Sequence, residues 1–164
     1  MRRTVFKSAV LIAVIVALDQ LVKYWAATAV RTAGSIPLID GVFEFVYTEN
    51  RGAAFSILQG QRWFFIISTL VMIGLMVWLL IKRHVRNRWG RLGVLFVIGG
   101  ALGNYVDRLR LGYVIDMFYF KLINFAVFNV ADVFIVGGGI MCIVYFLFMD
   151  DKLRKAENDG GQNS

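Results

Sequence analysis

The sequence predicts an all-α membrane protein: a four-helix transmembrane bundle carrying a small β-containing extracytoplasmic cap. Three observations lead there. Of 164 residues, 59% are hydrophobic and only 18% charged, whereas soluble domains carry roughly 25% charged and about 45–50% apolar residues. The apolar excess, a mean hydropathy of +0.66, sits in long blocks rather than in alternating patches. The basic residues crowd beside those blocks, most densely in KRHVRNRWGR at 82–91, as they do at the cytoplasmic flanks of membrane helices.

The blocks cover about 4–24, 62–82, 92–108 and 128–149, against the roughly 20 residues that cross a bilayer. The third is short if it stops at Asp107, which puts its end at the membrane–water boundary. Direction follows from charge. Arg2, Arg3 and Lys7, the 82–91 loop, and Lys152, Arg154 and Lys155 all fall on one side of an even-numbered topology, so both termini are expected in the cytoplasm. The first span has the basic start of a signal peptide and small residues at AATA (26–29). Its run is too long, however, and holds Asp19 and Lys23 before that point, so an uncleaved helix is expected. Residues 1–150 form one domain, and the polar tail 151–164 is expected to be disordered in the cytosol.

Between the first two spans, 25–61 reads as an outer cap. VFEFVYTEN (42–50) is β-prone, with Phe43, Phe45 and Tyr47 alternating with Glu44, Val46 and Thr48, and the sole proline, Pro37, and Gly41 bracket its approach.

Composition also excludes. The net charge of +7 lies at membrane flanks, so nucleic-acid binding is not expected. Cys142 is the single cysteine; it can form no intrachain disulfide and sits in an apolar run suited to packing. His84 is the single histidine and belongs to the basic loop. Mechanisms needing a histidine beside an outward-facing nucleophile therefore lack a candidate, and no metal cluster or cofactor is expected.

What remains is a set of polar residues sharing one depth. The third span runs outward to Asp107, and the fourth runs inward past Asp132, so antiparallel packing puts both acids near the outer interface. Gly99, Gly103 and Asp107 recur at i, i+4, i+8; Gly100, Asn104 and Asp107 form an adjoining stripe; Asn129, Asp132, Val136 and Gly139 line the fourth span. Small residues permit close helix approach, which turns both acids into the bundle. Asp19 and Lys23 form an i,i+4 pair at the outer end of the first span, while Asn50, Arg51 and Asp116 come from outer loops. Each has an ordinary reading: Asp107 with Arg108 as an interfacial pair, Asp19 with Lys23 as a structural one, Asn104 and Asn129 as interhelical hydrogen bonds. Asp132 is harder to explain so, because a carboxylate inside a span costs several kcal/mol unless paired or solvated. Two aspartates held close cannot both ionise cheaply, so one stays protonated. The pair can then activate water against an amide without a covalent intermediate.

DQLVK (19–23), NRGAAF (50–55), GNYVDR (103–108) and FNVAD (128–132) together resemble the signature blocks of lipoprotein signal peptidase, also called signal peptidase II. The resemblance spans all but the tail. It implies an aspartic endopeptidase of the bacterial inner membrane that cleaves diacylglyceryl-modified prolipoproteins before the lipidated cysteine. It implies Asp107 and Asp132 as the catalytic pair, and Asn104, Arg108, Asn129 and Ala131 as residues that shape the site. It further implies Asn50 and Arg51 in substrate binding, Asp19 and Lys23 in support, a β-cradle with a surface helix in the first outer segment, and inhibition by the cyclic peptide globomycin. A monomer within membrane lipid suffices for this.

Two other functions make different predictions. A proton-coupled transporter needs acids distributed through the membrane depth. A nonenzymatic assembly subunit needs its Asp–Arg pairs only to hold helices together. A Ser–Lys protease would require Ser56 to meet Lys23.

Overall fold

The computed structural model describes residues 2–52 and 60–149. Ala53, Ala54 and Phe55 of the NRGAAF block, Ser56 after it, and the tail 151–164 with its expected disorder lie outside them. Among the described residues, four helices are long and apolar enough to cross a membrane. They are α1 (Arg2–Trp25), α2 (Arg62–Ile81), α3 (Arg88–Arg110) and α4 (Val130–Val144), the last continued by a π-helical turn, Tyr145–Met149. A three-stranded antiparallel sheet of β1 (Ser35–Ile39), β2 (Phe43–Asn50) and β3 (Val114–Phe120), in that order, completes the fold.

The boundaries shift from the sequence expectation for identifiable reasons. α1 does not stop at 24; it runs on through a π-helical turn, Ala26–Val30, and Arg31–Ala33. It ends at Gly34, whose φ of +79° glycine adopts without strain. α3 starts at Arg88 rather than 92 because Asn87 caps it, its side chain accepting from Gly90 N at 2.8 Å. The polar first turn hides that start from a hydropathy reading. α4 starts at Val130, with Asn129 as its cap.

α3 is the mostly buried helix, and the other three expose most of their surface. Its glycines explain why. Gly99 and Gly103 face α1, where an added Cβ would meet Ile15 at 2.9 Å and Asp19 at 2.5 Å. Gly93 faces α4, where its Cβ would stand 2.9 Å from Gly138 O, and Gly100 presses on Ala131 O of the same helix. Two glycine stripes thus let two neighbours approach one central helix.

The sheet packs on the extension of α1 through a core of Ala26, Val30, Ile115 and Met117. Aromatic rings seal it: Trp25 meets Phe45 edge-on at 5.1 Å, and Phe43, Phe118, Phe120 and Phe128 stack along the strands. The register pairs Asn50 with Val114 and Thr48 with Asp116. This brings the end of β2 and the start of β3 over the ends of α3 and α4.

Candidate active site

Between those ends lies a cavity of about 350 Å³. Its polar wall is Asn50, Asn104, Arg108, Asp116 and Asp132. Its apolar wall includes Phe65, Phe125–Phe128, Ile135 and Val136. Two lining residues carry carboxylates, Asp116 from β3 and Asp132 from the first turn of α4.

Asp132 is held by the start of its own helix. Asn129 forms a capping box with it: Asp132 N donates to Asn129 Oδ1 at 2.9 Å, and Asn129 N donates to Asp132 Oδ2 at 3.2 Å. The other carboxylate oxygen accepts from Asn104 Nδ2 at 2.8 Å. Asp116 is buried and also accepts twice, from Asn129 Nδ2 at 2.6 Å and Asn50 Nδ2 at 2.9 Å. Burial, and then the neighbouring charge of Asp132, push the Asp116 carboxyl up from its usual 3.8 to about 7. The Asn50 and Asn129 hydrogen bonds and the charge of Lys23 oppose that rise without cancelling it. Arg108 places its guanidinium 4.8 Å over the Phe65 ring, with Nη2 donating to Gly52 O at 3.3 Å, and so adds a cation to the rim.

Asp107 is not among the residues lining this cavity. It lies on the Gly99–Gly103 stripe, and that stripe faces α1. There Lys23 Nζ meets Asp107 Oδ2 at 2.9 Å, Gln20 Nε2 donates to Asp107 Oδ1 at 2.9 Å, and Ile115 N donates to Asp107 Oδ2 at 3.1 Å. The face toward α4 carries Gly100, Asn104 and Arg108, one position further round. The expected meeting of Asp107 with Asp132 is therefore replaced by a chain, from Asp107 through Lys23 and Asn104 to Asp132.

The remaining sequence candidates divide similarly. Asp19 and Lys23 form the expected pair at 2.8 Å, but buried behind the cavity, and Asp19 Oδ1 accepts from Ala131 N at 2.9 Å. That bond ties α1 to the start of α4 one residue before Asp132. Asn50 reaches the cavity. Arg51, the residue after β2, does not line it; it pairs with Glu49 at 3.1 Å and covers the Tyr113 ring at 5.3 Å. The sequence reading missed Gln20, whose signal was its place between two polar helical neighbours. It also missed Phe125–Phe128, which have no periodic signature because they form a connector.

Apolar spanning helices enclosing a polar cleft with two carboxylates at one end define a multi-pass membrane protein with the groups for acid–base chemistry. The family model for signal peptidase II matches residues 11–148. The lipoprotein signal peptidase of Clostridioides difficile (strain 630) is 44% identical over 144 residues, which are 88% of this chain and 97% of that one. The lipoprotein signal peptidase of Streptococcus pyogenes serotype M5 (strain Manfredo) is 43% identical over 79% of this chain and 86% of its own. A bacterial membrane enzyme structure determined by the in meso method at 2.3 Å superposes with a TM-score of 0.80 at 31% identity, covering 86% of this chain and 87% of that one. A second, at 1.9 Å, gives 0.78 at 30% identity, over 87% and 94%. The chain belongs to the signal peptidase II family, and is a multi-pass bacterial membrane protease.

Proposed function

We propose that this chain removes the signal peptide from diacylglyceryl-modified prolipoproteins, cleaving before the lipidated cysteine with water activated between Asp116 and Asp132. In this reading Asp116 takes the role that the sequence assigned to Asp107. One observation carries it: Asp116 and Asp132 are the two carboxylates lining the cavity among the described residues, while Asp107 lies outside that lining and is paired with Lys23.

One carboxylate accepts a proton from water as the water oxygen bonds to the scissile carbonyl carbon, and the other gives its proton to the carbonyl oxygen. The tetrahedral gem-diol then collapses: the C–N bond breaks, the amine leaves with the proton first taken from water, and one gem-diol hydroxyl returns its proton to the other carboxylate, which restores the starting pair. Arg108 lines the same cavity, and its cation would favour the partial negative charge that builds on the carbonyl oxygen before proton transfer to it is complete. The apolar wall suits acyl chains and signal-peptide side chains, and a globomycin-type cyclic peptide would compete for the same space.

The cavity lies at the end of the bundle opposite the basic 82–91 loop. The positive-inside rule then favours cytoplasmic termini and a site near the outer face of the bacterial inner membrane, where a lipidated precursor enters laterally. One domain, 1–150, acts as a monomer.

The test is cleavage of purified diacylglyceryl-modified prolipoprotein by wild type, Asp116→Asn, Asp132→Asn and Asp107→Asn in lipid, with thermal unfolding in parallel. Folded but inactive Asp116 and Asp132 variants support the reading. A folded Asp116→Asn enzyme that cleaves normally, beside an inactive folded Asp107→Asn enzyme, returns the role to Asp107.

A further inference from the structure

Lys23 is 2% exposed and commits each of its three N–H donors: to Asp19 Oδ2 at 2.8 Å, Asp107 Oδ2 at 2.9 Å and Asn104 Oδ1 at 2.9 Å. An ammonium offers no acceptor, so Asn104 must turn its carbonyl oxygen to Lys23. Its amide nitrogen is thereby turned to Asp132. Asn104 Oδ1 also accepts from Asn129 Nδ2 at 3.1 Å, which occupies its second lone pair and holds the side chain from both sides.

The two acids are consequently unlike. Asp132 accepts from the backbone N–H of Asn129 at the start of α4, where the helix dipole favours negative charge. It also accepts from an amide polarised by the Lys23 cation. Asp116 accepts from two side-chain amides, Asn50 and Asn129, neither of which touches a cation in this way.

We propose that Lys23 is a positioning residue that acts through Asn104 to fix Asp132 as the ionised member of the pair, leaving the shared proton on Asp116. This inference rests on the proposed function for its consequence: Asp132 receives the proton of water, and Asp116 protonates the carbonyl oxygen. The charged groups around the pair are Asp19 and Lys23 on α1, and Asp107 and Arg108 on α3. Asn50 on β2 contributes a neutral amide.

Infrared spectroscopy of the full chain in lipid vesicles tests the assignment without any need for cleavage. A protonated carboxyl gives a C=O stretch separate from carboxylate bands. That band is expected to titrate near neutral pH in wild type and to be missing from Asp116→Asn. A band that survives in Asp116→Asn but is missing from Asp132→Asn would overturn the assignment.

The relay is tested by Lys23→Gln and by Asn104→Leu. The second leaves Lys23 its two carboxylates should the first fail to fold. The titration is expected to move by about one pH unit, and kcat to fall by on the order of tenfold with KM little changed. If folded Asn104→Leu protein titrates and turns over as wild type does, Lys23 has no positioning role. If instead Asp116→Asn and Asp132→Asn both cleave normally, the functional reading fails, while the infrared band still reports where the proton lies.

Discussion

Asn129 Nδ2 stands 2.6 Å from Asp116 Oδ1, so the residue that caps the last helix also holds the carboxylate of the last strand. Its carbonyl oxygen is occupied by Asp132 N, which leaves the amide nitrogen no other orientation. A structural device, the N-cap, thereby decides which way a site donor points. Site geometry and helix initiation are the same set of bonds.

Asn129→Asp separates these two roles. The new carboxylate still accepts from Asp132 N and preserves the cap, but it puts negative charge against Asp116, removes one of that acid's two donors and takes the second donor from Asn104 Oδ1. Because Asn129 is fully buried, the unpaired charge also destabilises the fold by more than the cap alone would, so cleavage is read per folded enzyme. Cleavage should fall by on the order of a hundredfold, the contribution of positioned acid–base groups. Wild-type turnover per folded enzyme would argue against a separate role for Asn129 in the site.

The pH dependence has a definite sign. Asp116 is raised from 3.8 to about 7, so the folded state binds its proton more tightly than the unfolded state does. Its contribution to stability is fully present below pH 3.8, declines as pH rises to about 7, and is then constant. As the proton donor in the proposed reaction, it also makes kcat/KM fall as pH climbs through about 7. Initial cleavage rates in vesicles across pH 5 to 9 measure this limb. Activity rising steadily through that range would exclude a protonated Asp116 from the reaction.

Asp107 should behave as a stability residue. Asp107→Ala removes one of the two carboxylates that neutralise buried Lys23, and breaking a buried ion pair costs about 3–5 kcal/mol. Asp107→Asn retains an acceptor and should cost less. The folded fraction of Asp107→Asn should cleave far faster than folded Asp116→Asn, a ratio readable once rates are normalised to folded protein.

The spans, the cap and the convergence of polar residues were legible in the sequence because bilayer thickness and helical period impose strong patterns. The identity of the second acid was harder to read. Asp107 and Asn104 are both turned inward on one helix, and only the placement of α1 against Gly99 and Gly103 decides that Asp107 meets Lys23. A signal was nonetheless present, since 100, 104 and 108 share a face that 99, 103 and 107 do not. Asp116 carried another: a lone acid inside the apolar run VIDMFYF is expensive to bury without a purpose. Its position over the cavity depends on the register of β2 with β3, which local propensity does not specify.

The glycines of α4 offer a test of how closely the helices meet. Gly138 sits at the crossing with α3, where an added Cβ would stand 2.5 Å from Gly93 O and 2.9 Å from Val97 N, both backbone atoms. Neither can move without displacing α3, and with it Asn104 and Arg108. Gly137 and Gly139 have nothing within 4 Å of the same addition. Gly138→Ala should therefore lower the thermal midpoint and reduce cleavage together, a loss of about 1–3 kcal/mol for an overpacked contact. Gly137→Ala and Gly139→Ala should leave cleavage unchanged and raise stability slightly, since alanine favours helix by up to about 1 kcal/mol over glycine. If all three variants unfold at the same temperature, the helices do not meet at Gly138, and the approach that delivers Asn104 to Asp132 must come from Gly100 alone.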